Sequence, residues 1–128
     1  MHSMLDNAIA EYTRTRTEAH FLAIYRAVLT ENLLVPVAES VKEVQTGQYD
    51  VPVICIRTET GAGAIPVFTS TEHLLKWKPH GCLYATLTGR ALLTMAVDMH
   101  EVSEIQINPN DVPHGRIPRV DFVNMLDL

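Results

Sequence analysis

The side chains best placed to do chemistry cluster between positions 55 and 82. Thr69, Ser70 and Thr71 follow directly on one another where an extended run gives way to a helical pattern. Free backbone N–H groups and the helix dipole favour an anion at such a corner, and hydroxyls add donors. That makes the cluster a candidate site for a small anion or for a carboxylate of a partner. The same residue types also serve simply as helix caps, worth about 0.5–2 kcal/mol. Cys82 follows His80 and Gly81, with His73 seven residues before His80. A thiol beside an imidazole base is the arrangement of a nucleophilic enzyme. Here no oxyanion motif accompanies it, and two residues so close ahead of a strand read more simply as a turn. A metal site needs three or four convergent ligands. This segment offers at most three, at no recognised spacing, so no metal is expected.

Trp77 is the only tryptophan and is flanked by Lys76, Lys78 and Pro79. Polar neighbours on a short helix predict a partly exposed ring, and exposed aromatics anchor interfaces. The alternative is a lid on the core edge whose indole N–H bonds to backbone. Cys55 lies mid-strand among apolar residues, where burial disfavours the thiolate and predicts inert packing. Gly61, Ala62 and Gly63 have neither phosphate-loop spacing and join two strands, so they read as a hairpin turn. His20, His100 and His114 are scattered. Asp98 and Glu101 read as a solvated helix end rather than an acid–base pair. No cofactor is expected.

These residues need a scaffold, and the apolar spacing predicts one. Ser3 caps a helix carrying Leu5, Ala8, Ile9 and Tyr12, followed by a polar break over 13–16. A second helix from Thr17 presents Phe21, Ile24, Tyr25, Val28 and Leu29. Residues 33–37 form a short strand with Pro36 at an edge or entry point. Residues 39–50 read as a loop or a ragged extra strand. The run 51–56, apolar on both parities, predicts a central strand covered on both faces. A turn at 60–63 joins it to residues 64–68 as a hairpin. Thr69 and Glu72 fit a capping box opening a short helix that stops ahead of Pro79. A strand over 83–87 follows, then a helix over 89–100 with Leu92, Leu93, Ala96 and Met99 inward. Residues 104–107 alternate as a strand with one wet face. Residues 108–111 form a turn, and Pro118 opens a last helix with Phe122, Val123 and Leu126. The late helices make crossovers long enough for parallel neighbours. The expected fold is therefore α/β (α+β): a single domain over 1–128, with a mixed sheet of about five strands and a central hairpin, packed by N-terminal and crossover helices.

Composition narrows the function. The chain has 128 residues, 47% hydrophobic and 20% charged, enough for a core and too little charge for disorder. Its net charge of −5 gives no help against a phosphate backbone, so no nucleic acid partner is expected. No apolar window reaches membrane-spanning length, and the first residues lack the pattern of a secretory signal. Two cysteines make no disulfide scaffold. A cytoplasmic protein without membrane contact is expected.

One stretch carries a resemblance. Residues 64–70 read Ala-Ile-Pro-Val-Phe-Thr-Ser, with Leu74 and Trp77 following. Together with Leu34-Val35-Pro36 after the helices and Asn108-Pro109 after a later strand, this resembles the N-terminal domain family of the enhanced serine sensitivity protein SseB. The likeness spans most of the chain. It departs at the turn, where many relatives read Asn-Pro-Gly and this chain has Asn110. The resemblance implies a regulatory role and brings no catalytic residues. The function expected is a non-catalytic regulatory or protein-interaction module, docking a protein partner or a second copy on a surface formed by Phe68, Thr69, Ser70, Thr71 and Trp77. The alternatives are a sensor of a small anion or amino acid at the 69–72 corner, and a thiol enzyme built on Cys82 and His80.

Overall fold

The computed structural model describes residues 4–15, 18–38, 42–43, 49–50, 53–111 and 114–127. Two helices come first, α1 (Met4–Thr15) and α2 (Glu18–Thr30). The inward face of α2, Ile24, Tyr25, Val28 and Leu29, is buried as its spacing predicts. The expected Ser3 cap lies outside the described residues. After α2 come β1 (Asn32–Pro36), the short ladder of β2 (Lys42–Glu43) with β3 (Tyr49–Asp50), β4 (Ile56–Arg57) and β5 (Gly63–Val67). Then follow α3 (Thr71–Trp77), β6 (Tyr84–Thr88), α4 (Gly89–Val97), β7 (Val102–Ile107) and β8 (Gly115–Pro118). A single 3₁₀ turn (Arg119–Asp121) leads into α5 (Phe122–Leu126).

The main sheet has four strands in the order β4-β5-β7-β8. β5 and β7 run parallel, and the long excursion through α3, β6 and α4 supplies the crossover that parallel pairing requires. β4 and β8 flank them antiparallel. A second ladder pairs β1 with β6 antiparallel. The bridge between Leu34 and Phe68, with N–H···O distances of 2.8 and 2.9 Å, ties it to the end of β5. The expected α/β architecture is thus present, with the described strands split between a four-stranded sheet and two two-stranded ladders instead of one five-stranded sheet.

Successive strand residues point to opposite faces. Ile65, Val67, Ile105, Ile107 and Ile117 face the helices and join Leu5, Ile9, Val28, Leu92, Leu93 and Phe122 in one core. Glu104, Gln106 and Arg116 therefore face the other way. The register places Gln106 opposite Arg116, which sets them side by side. The C-terminal end of α4 is closed from a distance in sequence. Arg119 donates to the Val97 carbonyl at the end of α4 at 2.6 Å, and to the carbonyls of Met99, in the connection to β7, and Val102, at the start of β7, at 2.8 and 2.9 Å.

The largest departure from expectation is the run 51–56. Val51 and Pro52 lie outside the described residues. Val53 bridges Val37 and Ile54 N–H donates to Pro36, while Ile56 pairs with Ala64. The chain thus crosses from the β1 ladder to the main sheet in mid-run. Its apolar residues on both parities serve two sheets in turn, not two faces of one central strand. Cys55 falls at the crossing and is exposed, which corrects the expectation of a packed thiol. Two further corrections are small. α4 ends at Val97, three residues before His100, and Pro118 closes β8 before the last helix begins.

Candidate functional site

The corner after β5 holds a buried polar cluster drawn from three stretches of the chain. Ser70 is the N-cap of α3, its Oγ accepting from His73 N–H at 3.3 Å. The cap is thus one residue later than the Thr69–Glu72 box predicts. Thr69 is turned inward instead. Its Oγ1 donates to Asp6 on α1 at 2.6 Å, and its N–H donates to Asn108 Oδ1 at 3.1 Å. Asn108, with no exposed surface, donates through Nδ2 to Asp6 Oδ1 at 3.3 Å and to Thr69 Oγ1 at 3.1 Å. His73 is buried too. Its Nδ1 lies 2.7 Å from Asp111 Oδ2, and its Nε2 lies 3.3 Å from Asp6 Oδ2. Lys76 Nζ stands 3.5 Å from the other oxygen of Asp111.

This geometry says what the corner does. Buried polar groups need partners, and here they serve one another. Neither ring nitrogen of His73 is left for a substrate. An incoming anion would meet the carboxylates of Asp6 and Asp111, and α3 spans only seven residues. The cluster holds α1, α3 and the 108–111 turn together.

The five residues expected to form a binding surface are placed unequally. Phe68 is fully buried. Thr69 belongs to the polar cluster, Ser70 to the cap, and Thr71 is exposed at the start of α3. Trp77 is half-buried, its ring centroid 5.3 Å from that of Phe68 at an interplanar angle of 40°. Lys78 Nζ lies 5.1 Å from the indole centroid, within cation–π reach. Phe68 is thus the packing support of Trp77 and not itself a contact.

Trp77 borders a groove of about 310 Å³ on the sheet face turned away from the helices. Its floor is Glu104 and Gln106 of β7, with Arg116 of β8 beside them. Its walls are the β4–β5 hairpin, from Arg57 to Thr60, and the turn residues Pro109 and Asn110. The alternation of β7 predicts a wet face at Glu104 and Gln106. The hairpin, turn and indole instead enclose them: Gln106 is 8% exposed, and Glu104 Oε2 is buried without a hydrogen-bond partner. Their polar type was readable from the sequence, but their enclosure depends on a hairpin and an indole that lie far back in the chain, which no local pattern reveals.

Asn108 and Asn110 both adopt left-handed backbone, with φ of 51° and 62°. Asparagine tolerates that region better than other side-chain-bearing residues, which accounts for Asn110 at a left-handed position of this turn. Elsewhere, both thiols are displaced upward from their ordinary range. The Cys82 thiol is pushed up by burial, partly offset by Lys78. The Cys55 thiol is pushed up by partial burial of the sulfur and then by Glu101, although the residue as a whole is exposed. No group of three or more His, Cys, Asp or Glu suited to a metal occurs among the described residues. Among the same residues no helix is long and apolar enough to cross a membrane.

Fold and groove together define a mixed α/β domain with a polar groove on the open face of its main sheet. A family model described as the SseB protein N-terminal domain matches residues 5–115, and the chain belongs to that family. Neither the curated proteins nor the solved structures compared with the chain include a match.

Proposed function

We propose that the chain is a non-catalytic, cytoplasmic regulatory module that acts by binding a protein partner, with the groove beside Trp77 as its contact. One observation carries this reading. The polar groups of the 69–73 corner satisfy one another, whereas those on the groove floor do not. Unmet hydrogen-bonding capacity next to a half-buried aromatic is what a binding site offers. The raised thiols and the double engagement of His73 favour binding over catalysis.

The test uses two variants. Trp77→Ala removes the aromatic wall, and Thr60→Lys crowds the mouth without touching the core. Sedimentation of the wild-type chain tests self-association, and affinity capture supplies a partner that is then titrated in purified form. Each variant is expected to weaken the complex about thirtyfold, the loss of one interface anchor of about 2 kcal/mol, while retaining cooperative unfolding. A complex of unchanged affinity in both variants overturns the reading, as does a wild-type chain that stays monomeric and captures nothing.

A further inference from the structure

The groove floor specifies what it would hold. Glu104 and Gln106 stand two apart on β7 and face the same way. Glu104 Oε2 is buried and accepts no hydrogen bond. Its nearest cation, Arg116 Nε, is 3.7 Å away, beyond hydrogen-bond range, and the Arg116 side chain is 61% exposed. Gln106 is more than nine-tenths buried, and its side-chain amide makes no hydrogen bond with the described residues. Leaving a buried charged acceptor unmet costs more than the about 1–3 kcal/mol of a neutral one. A ligand that brings a donor to it offsets that cost.

We infer that the groove receives the ε-ammonium of a lysine presented by a partner protein, which Glu104 and Gln106 accept while the indole of Trp77 flanks the stem. The inference rests on the groove reading proposed above. Only one carboxylate oxygen, Oε2, is buried without a hydrogen bond, and a compact ammonium with three rotatable donors can serve it and the Gln106 carbonyl oxygen at once, where a planar guanidinium fork is fixed in direction. The same indole already tolerates a lysine ammonium, that of Lys78. Trp77 and Pro109 supply apolar surface for a methylene stem. The recess has room for one long side chain and none for a packed helix. At its mouth Thr60 and Asn110 can bond the main chain that carries the lysine. Arg57 does not contest the site, because its guanidinium is held by its own hairpin, donating to the Gly61 carbonyl at 2.8 Å. Arg116 does contest it, and its long contact to Glu104 yields to a better donor.

The test is a ¹⁵N NMR titration of the whole chain with N-acetyl-lysine N-methylamide, and with two probes of similar shape. The norleucine analogue lacks the ammonium, and the Nε-acetyl-lysine analogue lacks the charge. Lysine amide is expected to shift the Gln106 side-chain NH₂ and Trp77 indole signals with millimolar saturation. Both neutral probes are expected to bind about tenfold more weakly, the worth of one charge-assisted hydrogen bond. Glu104→Gln is expected to erase that difference, and Arg116→Gln to tighten lysine amide several-fold. Equal binding of all three probes overturns the ammonium assignment and leaves the groove reading standing. Absence of any shift at Gln106 and Trp77 with every probe overturns both. Should Glu104→Gln fail to fold, Arg116→Gln decides: unchanged or weaker lysine binding refutes the assignment.

Discussion

Replacing Asp6 by alanine tests whether the polar corner is scaffold. Asp6 is 3% exposed, takes the Thr69 hydroxyl at 2.6 Å and the Asn108 amide at 3.3 Å, and faces His73 Nε2 at 3.3 Å. Among the described residues the substitution strands two donors, the Thr69 hydroxyl and the Asn108 amide, and removes the partner of His73 Nε2. They do not all lose everything: Thr69 and Asn108 keep each other at 3.1 Å, and His73 keeps Asp111 at 2.7 Å. A hydrogen bond to a buried charged group is worth about 1.5–3 kcal/mol, and an unmet neutral donor costs about 1–3 kcal/mol. Because the survivors re-pair, the losses are less than additive, and about 4 kcal/mol is expected. For a chain of this size that is a fall in melting temperature of about 12–20 °C. Urea and thermal unfolding read it directly. Asp6→Asn keeps one acceptor oxygen and should lose about half as much. A double-mutant cycle with His73→Ala should give a coupling above about 1 kcal/mol. A loss under about 1 kcal/mol in Asp6→Ala, or additive losses in the cycle, refutes the scaffold argument and restores the corner as an open site.

Two further outcomes follow. Gly89→Ala should destabilise by about 3 kcal/mol despite alanine's better helix propensity, since a Cβ there would lie 1.7 Å from the Val28 carbonyl oxygen and the α2 backbone cannot retreat cheaply; denaturant unfolding checks it, and a neutral or stabilising result contradicts the observed α2–α4 approach. Because both thiol pKa values are raised, the thiolate fraction at neutral pH falls below that of a free cysteine, so iodoacetamide should label Cys55 and Cys82 slowly at pH 7 and faster as the pH rises through the alkaline range; fast labelling of Cys82 with a plateau near neutrality, lost in His80→Ala, would revive the thiol-enzyme alternative.

What the sequence made legible is what depends on neighbours along the chain. The 3.6-residue recurrence of Ile24, Tyr25, Val28 and Leu29 reports a helix face buried against the core. Pro79 reports where α3 must stop, and Asn108-Pro109 reports a turn. What stayed hidden depends on contacts made across the chain. Thr69 looks like a cap because nothing local shows that Asp6, 63 residues earlier, will claim its hydroxyl. Likewise the run 51–56 looks like one central strand because hydropathy cannot tell two faces of one sheet from two successive sheets. β8 escaped notice since Gly115 and Pro118 are poor strand signals, yet Ile117 pairs with Ile105 and is fully buried. The groove was half legible: Trp77 was singled out for its polar neighbours, while Glu104 and Gln106 passed as ordinary solvent-facing residues.

The cluster and the groove are joined by one turn, and that has a mechanical consequence. Asn108 anchors the polar cluster through its side chain, and its N–H donates to Val67 at 2.9 Å. The next two residues, Pro109 and Asn110, form a wall of the groove. Two left-handed residues and a proline leave this segment few alternative conformations, so the wall moves little unless its anchor moves. Asp111, one residue further, is held by His73 and Lys76 of α3, the helix that also carries Trp77. Two walls of the groove are thereby fastened to each other through the His73–Asp111 contact, behind the surface a partner would touch. A recess preorganised in this way needs little reordering on binding, and the corner that first drew attention for its hydroxyls contributes by holding the recess in shape.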